Sequence, residues 1–350
     1  MIEVPSAAKA DVEQRLSREF GERVTGWSPI AGGTQNRLFR LDTLGGAALL
    51  AKFYHRDRWN RLHRECSALA LLGRHGLARI PRVYLRSDDF GYGVYSFEPG
   101  QPKSAAELEP GDLRAVAAFA ADVQRVAPSV TGEDLPPAAD ASFSLEQQLE
   151  VIDGRLRAFE MFAGGPDAYD EVRDLCRELD LRVAITELIR RATTSVGEDE
   201  RRTALPRPAW RVNTADFGPQ NLLFTSDGQL TVVDFEAAGW DDPARLVMGF
   251  VAHATSEELP PGGVETFLRA YAEACALPES EIARFEHVGV LCDVEWIAIY
   301  ASALTGEAVA AKQFASRAFD RPTYLAGAIA KLKRRLTRAT EGGGYRFRAD

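Results

Sequence analysis

Sulfur and histidine are scarce in this chain, and their scarcity is informative. Four cysteines occur in 350 residues, at Cys66, Cys176, Cys275 and Cys292, and none stands in CxxC spacing. That pattern excludes a disulfide framework and a zinc ribbon, and it reads as reduced thiols in the cytoplasm. The five histidines do not cluster, which removes the usual zinc ligand sets. No apolar run reaches the roughly 18 residues that a membrane-spanning helix needs. Met1 to Ala10 lacks the order of a signal peptide. Internal repeats and low-complexity tracts are missing too. The expectation is a cytoplasmic protein with no membrane partner, a monomer or a homodimer.

What is present is ordinary globular material. The apolar fraction is 45% and the charged fraction 27%, and the length suffices for two lobes with separate cores. The net charge of −9 conceals a division. Residues 1–100 carry 15 basic and 11 acidic side chains, residues 101–330 carry 20 and 38, and residues 331–350 carry 7 and 2. A basic front suits a polyphosphate. An acidic body, with an excess of 18 negative charges, disfavours nucleic acid as a partner and favours a cationic small molecule. A solvated acidic surface would give the same composition.

The densest signal lies between Thr214 and Pro243. Asp216 and Asn221 flank a short Gly-Pro loop, and Asp234 follows the apolar run Leu230-Thr231-Val232-Val233. Two loops joined by a hairpin bring a carboxylate and two oxygen ligands into one pocket. Mg²⁺ takes hard oxygen ligands and few of them from protein, so one Asn, one Asp and nucleotide phosphates suffice.

This segment resembles the catalytic and metal loops of the aminoglycoside phosphotransferase and choline kinase family. Those enzymes phosphorylate small molecules on a protein-kinase-like fold. Their pattern is His-Gly-Asp-x-x-x-x-Asn, then Ile-Asp-Phe/Trp-Glu, then Gly-Asp-Pro. The chain keeps Asp216, Asn221, Asp234, Glu236, Asp242 and Pro243, and it departs at Thr214, where the family has His, and at Leu246, where a second Asp often stands. The resemblance implies an α+β, two-lobe fold, with a small antiparallel-sheet lobe over residues 1–98 and a larger, mainly helical lobe over 99–350. It implies ATP and Mg²⁺ as cofactors and a small-molecule hydroxyl as acceptor. In it, Asp216 is the catalytic residue, and Asn221 and Asp234 are the metal ligands. Asp242 reads as structural, bonding backbone near the catalytic loop. A nucleotide-binding regulatory protein of the same fold, without turnover, is the alternative.

The front of the chain agrees. Residues 11–20 read as a short helix. Strands follow over Val24 to Ile30 and Arg37 to Thr43, around Gly32, Gly33 and Asn36. Glycine lets backbone approach phosphates closely, although a plain hairpin turn would read alike. Lys52 then sits inside an apolar strand over Ala47 to Tyr54. Glu65 sits in the apolar stripe of a helix from Trp59 to Arg74, with Leu62, Leu69 and Leu72. A lone charge in either place is costly, so the two predict a pair, which in kinase-like proteins holds the α- and β-phosphates. Two more strands, Arg82 to Arg86 and Tyr92 to Phe97, complete a five-stranded sheet with one helix. Glu98-Pro99-Gly100 then breaks regular structure. By the resemblance, backbone near Ser96 and Glu98 meets the adenine edge.

In the second part, helices are expected over 104–127, 144–162, 168–193, 243–256, 262–276, 279–305 and 308–337. Residues 128–142 read as a loop and 195–201 as a surface connection. A short strand runs into the catalytic loop from Trp210, and hairpin strands lie at 221–225 and 230–234. The stretch 288–304 is apolar all round except for Asp293 and Glu295. Such a helix is buried, so both carboxylates need partners, either arginines or a cationic substrate. Trp240 and Trp296 are candidates for an aromatic wall, with core packing as the plainer role.

Overall fold

The computed structural model describes residues 4–30, 35–128, 135–316 and 318–341. Helix α1 (Ser6–Phe20) comes first, then strands β1 (Val24–Ile30), β2 (Arg37–Thr43) and β3 (Ala48–Phe53), helix α2 (Arg61–Arg74), and strands β4 (Val83–Ser87) and β5 (Tyr92–Ser96). The strands form one antiparallel sheet in the order β1-β2-β3-β5-β4. α1 is longer than the sequence suggested and makes a second helix on this sheet. Ala8, Val12 and Leu16, four apart on one face, pack with Phe39, Leu41, Leu85 and Val94. The stripe of α2 joins another core. Leu62, Leu69 and Leu72 belong to the cluster that continues into the second lobe through Phe119, Leu222 and Phe235.

The second lobe opens with β6 (Gln101–Pro102) and α3 (Pro110–Val123). Next come α4 (Leu145–Ala163), α5 (Asp170–Glu178), α6 (Leu181–Thr193) and the short α7 (Glu198–Arg202). Strands β7 (Arg211–Asn213), β8 (Leu222–Phe224), β9 (Leu230–Val232) and β10 (Gly239–Asp241) carry the loops of interest. Helices α8 (Pro243–Ala252), α9 (Gly263–Cys275), α10 (Glu279–Ser302), α11 (Gly306–Ala315) and α12 (Arg321–Glu341) follow. Gly100 marks the entrance. It has φ 109°, and a Cβ there would lie 2.8 Å from the Phe224 carbonyl oxygen, so only glycine lets β6 cross β8 so closely.

Three expected helices are shorter because local caps interrupt them. Pro110 starts α3, where Glu109 and Asp112 cap reciprocally. The stretch 168–193 divides at Asp180, whose carboxylate accepts the Val183 N–H at 3.0 Å and starts α6. The stretch 308–337 divides into α11 and α12, with Asp320 accepting the Thr323 N–H at 3.0 Å. The connection at 195–201 gains a helical turn, α7.

A second apolar core joins α4, α5 and α6 with α10 and α12. No single helix among the described residues is long and apolar enough to cross a membrane. α11 reaches back to the sheet. Arg37 of β2 donates to the Phe314 carbonyl at 2.8 Å, and its guanidinium lies 4.2 Å from the Phe314 ring centre.

Candidate active site

Lys52 is the hub between the two lobes. Its ammonium lies 2.8 Å from Glu65, 2.6 Å from Asp234 and 2.8 Å from Glu236, at 5% residue exposure. β3 supplies the lysine and α2 supplies Glu65. The turn after β9 supplies the other two carboxylates. Burial alone would lower the lysine's pKa; the attraction of Asp234, Glu236 and Glu65 outweighs it and raises the pKa well above the ordinary value. Glu65 is fixed further by the Tyr54 hydroxyl, itself 2.6 Å from the Tyr95 hydroxyl, and by the Phe235 N–H at 3.3 Å. The expected pair is therefore one edge of a larger cluster.

Glu236 ties this cluster to the front of α2. Arg61 bonds it at 2.6 Å, and the Asn36 amide donates to its other oxygen. Lys52 and Arg61 hold the Glu236 carboxyl below its usual range, although burial opposes them. Asp234 behaves oppositely. Burial and the neighbouring Glu236 push it up to about 7, and Lys52 offsets this only in part. Asp234 has φ 68°, a left-handed conformation costing a non-glycine residue roughly 1–2 kcal/mol. Ala215 has φ 60°, so each of the two loops of the site carries one left-handed non-glycine residue.

The β8–β9 hairpin sets the loops side by side. Val233 N–H donates to the Asn221 carbonyl at 3.0 Å, which puts Asn221 next to the Asp234 turn. The Asn221 side-chain amide donates to the Asp216 carbonyl at 2.8 Å and to the Asp216 carboxylate at 3.2 Å. Its amide oxygen therefore faces away from Asp216. Glu65, Asp234 and Glu236 offer carboxylate oxygens within 4.8 Å of one another. With Asn221 this is an all-oxygen, negatively charged donor set, which fits Mg²⁺ better than a softer metal.

Asp216 has partners that the sequence did not reveal. His253 Nε2 lies 2.9 Å from Asp216 Oδ1, and Gln220 Nε2 lies 3.4 Å from the same oxygen. Burial would raise the Asp216 pKa; the hydrogen bond from His253 more than compensates, and the carboxyl sits below its usual value. Gly218 makes room, since a Cβ there would stand 2.4 Å from His253 Nδ1. Asp241 holds the strand that feeds this loop. It accepts from Asn213 Nδ2 at 2.8 Å and from the Ser142 N–H at 2.9 Å, and Asn213 in turn accepts the Ala215 N–H at 2.8 Å. Asp242, expected to be structural and to bond backbone, accepts the Ala244 N–H at 2.8 Å as the cap of α8 and pairs with Arg284.

Several of the remaining candidates take the plainer of the roles expected of them. Trp240 is core, 2% exposed in β10 against β7. Asp293 pairs with Arg335, and Glu295 pairs with Arg245 at 2.7 Å. Both carboxylates thus meet arginines, the cheaper way to bury a charge. Trp296 reaches the site edge-on to His253, with ring centres 4.7 Å apart. A cavity of about 60 Å³ lies behind the catalytic loop, between Asn213, Ala215, Arg245, His253, Glu295 and Trp296. The Ser96 N–H is taken by the Arg82 carbonyl at 2.9 Å, and its hydroxyl donates to Glu98. Gly32 and Gly33 lie outside the described residues.

A family model for the phosphotransferase enzyme family (APH) matches residues 26–282, which include every residue of this cluster. The chain belongs to that family. Solved structures agree on the fold. An ethanolamine kinase from Plasmodium vivax has 14% identity, covers 89% of this chain and 81% of its own, and has a TM-score of 0.62. The choline kinase LicA from Streptococcus pneumoniae has 16% identity, covers 95% of this chain and 100% of its own, and has a TM-score of 0.57. An amicoumacin kinase in complex with AMP-PNP, Ca²⁺ and Ami has 14% identity, covers 97% of this chain and 96% of its own, and has a TM-score of 0.59. No curated protein matches the chain. This member of the phosphotransferase family therefore has an α+β, kinase-like fold, with its charged cluster at the junction of sheet and helical lobe.

Proposed function

We propose that the protein transfers the γ-phosphoryl group of ATP to a hydroxyl of a small molecule, with residues up to Glu98 as the nucleotide lobe. The observation that carries this reading is Lys52, within 2.8 Å of carboxylates from both lobes, with Asp234 beside the Asn221 loop. Asp216 accepts a hydrogen bond from the acceptor hydroxyl and aims its oxygen at the γ-phosphorus. The new O–P bond forms as the β–γ bridging O–P bond breaks, ADP departs, and Asp216 takes the hydroxyl proton. In a loose transition state this positioning outweighs deprotonation, so a carboxylate held below its usual pKa is suited to the role. Asn221 and Asp234 are the residues that would hold Mg²⁺. When bound, that ion neutralises charge on the β- and γ-phosphates. Lys52 exchanges a carboxylate contact for phosphate, and Glu65 keeps it in place. The adenine edge falls to the segment around Glu98, since the Ser96 N–H already has a partner.

The acceptor draws on two opposed features. The acidic surplus of 101–330 attracts cations at long range, and the Trp296 and Tyr300 rings, 5.7 Å apart, suit an ammonium face. Yet Asp293 and Glu295 are committed to arginines. A cationic amino-alcohol or amino sugar is thus the expected class, held without a dedicated ion pair. ADP release from MgATP, measured against a panel of amino-alcohols, amino sugars and neutral sugars, tests the proposal. Acceptor-dependent release that Asp216→Asn removes supports it. Nucleotide binding without acceptor-dependent release would favour the regulatory alternative.

A further inference from the structure

We propose that His253 is the positioning residue of the catalytic carboxylate, holding Asp216 through an Nε2–H donor, a role that nearby Thr214 does not take. The inference rests on the reading of Asp216 as the residue that meets the acceptor.

The first observation is the empty-handed threonine. The family pattern that the loop resembles has histidine where this chain has Thr214. Here the Thr214 hydroxyl is buried and has no hydrogen-bond partner among the described residues. A buried hydroxyl without a partner is unfavourable, and one that bonds nothing braces nothing. The second observation is the ring that does touch Asp216. His253 comes from the far end of α8, and its residue is 5% exposed.

The proton on that ring can be placed from its neighbours. The Thr255 N–H points at His253 Nδ1 at 3.1 Å, so Nδ1 carries the lone pair. The Thr255 hydroxyl, 2.8 Å from the same nitrogen, has Nδ1 and Gln220 Oε1 as acceptors within reach, and a hydrogen turned to Nδ1 meets that lone pair. A neutral ring then holds its hydrogen on Nε2, aimed at Asp216 Oδ1 2.9 Å away. A second-sphere bond that fixes a tautomer is the ordinary way a histidine is oriented.

The surroundings fix the ring itself. Trp296 stands edge-on at 4.7 Å. Gly218, inside the catalytic loop, lacks the Cβ that would overlap Nδ1. The backbone just before the ring is pinned too, since the buried Arg335 of α12 donates to the Ala252 carbonyl. Three elements therefore converge on one imidazole, and the imidazole converges on one carboxylate oxygen. Asn221 takes the other oxygen at 3.2 Å. Between them the carboxylate plane is set before any acceptor arrives, which is what a positioning mechanism requires.

The test uses the full chain with ¹⁵N-labelled histidine, and three variants, His253→Phe, His253→Gln and Asp216→Asn. Nitrogen–proton correlation NMR of the wild type should show His253 as the Nε2–H tautomer. Its Nε2 signal should move in Asp216→Asn. Turnover is followed as ADP release with the best acceptor of the panel, or as MgATP hydrolysis by water. His253→Phe should lower kcat by about 10²-fold, the scale of a misplaced catalytic group, with the ATP KM changed less than about twofold. His253→Gln, which offers an amide N–H to the same oxygen, should recover to within about tenfold of wild type. An Nδ1–H tautomer overturns the proposal, even if His253→Phe fails to fold. So does a kcat in His253→Phe equal to wild type, or equal losses in the Phe and Gln variants with matching falls in Tm. If Asp216→Asn itself keeps full turnover, the assignment of Asp216 has failed instead, and His253 with it.

Discussion

The proposed phosphate side and the proposed acceptor side of this cleft are built on opposite principles. Around Lys52, three carboxylates and Arg61 crowd into a buried cluster whose charges are mutually dependent. Around Asp216, the partners are an imidazole and two side-chain amides, with an indole edge behind the imidazole. One side is poised to exchange charge, because Lys52 has more negative neighbours than it can satisfy. The other is poised to hold still. A phosphotransferase needs both: polyphosphate and metal bring their own charge, while the acceptor brings a hydroxyl whose orientation decides the rate.

The sharpest way to break the comparison is Asp216→Asn. Asparagine keeps an oxygen that can still accept from His253 Nε2, so the loop should stay in place. Phosphoryl transfer should fall by about 10²–10⁴-fold, the usual worth of a positioned proton acceptor, with MgATP affinity nearly intact. Calorimetric titration with a non-hydrolysable nucleotide, beside the ADP-release assay, checks both halves. Turnover within tenfold of wild type would move the catalytic carboxylate elsewhere.

Lys52→Ala attacks the charged side. Three carboxylates lose their shared cation, and a broken buried pair costs about 3–5 kcal/mol. Lys52→Met with Glu65→Leu should melt above Lys52→Ala yet below wild type. Glu236 keeps Arg61 at 2.6 Å in that double variant, but Asp234 loses its cation. Neither variant should be active. Identical Tm values for single and double variants would show that Glu65 draws nothing from Lys52.

A subtler effect follows from Asp234. Its folded pKa of about 7 lies above the ordinary 3.8. Its stabilising contribution is therefore complete below the ordinary value and is lost as pH rises through 7. Metal-free wild type should lose Tm between pH 5 and pH 8. Asp234→Asn should flatten that fall and also lose the Mg²⁺-dependent gain in ATP affinity. Thermal melts at the two pH values in chelator, then nucleotide titrations with and without Mg²⁺, make the comparison. An equally steep fall in Asp234→Asn would assign the pH dependence to other groups.

Legibility in the sequence follows the same division. The sheet could be read from its strand patterns and turn residues, and the Lys52–Glu65 contact from the cost of burying either charge alone. The Asp216, Asn221 and Asp234 loops were legible because they are local. His253 was not. It stands 37 residues beyond Asp216, and its contact exists only because α8 packs where it does. The one sequence trace of it is an isolated histidine closing an apolar helix. Asp293 and Glu295 announced a need for partners, but Arg335 and Arg245 come from α12 and α8, and no spacing rule links those helices. Helix breaks at Pro110, Asp180 and Asp320 were overlooked for a different reason: the caps are readable, but the apolar pattern runs through them.

The smallest effect concerns the acceptor, where one further cation feels both Glu236 and Asp216. Lys312 of α11 is half-buried, and its ammonium lies 5.9 Å from the Tyr324 ring centre. Burial, Lys331 and Arg61 hold its pKa below the ordinary value, against the pull of Glu236 and Asp216. It makes no ion pair with a carboxylate among the described residues. A cationic acceptor thus meets long-range attraction from the acidic lobe and short-range repulsion from this residue. Lys312→Met should raise kcat/KM for an amino acceptor relative to its matched hydroxy analogue by a few-fold, on the order of a kcal/mol, as for two charges about 4 Å apart in bulk water. The attraction should fade as added salt shortens the screening length from about 10 Å toward 3 Å, while the neutral analogue changes little. Paired kcat/KM values at low and high ionic strength, in wild type and in Lys312→Met, separate the two contributions. If Lys312→Met leaves the ratio unchanged and the neutral acceptor is preferred at low salt, neither charge selects the acceptor. The choice would then fall to the shape of the pocket beside Trp296.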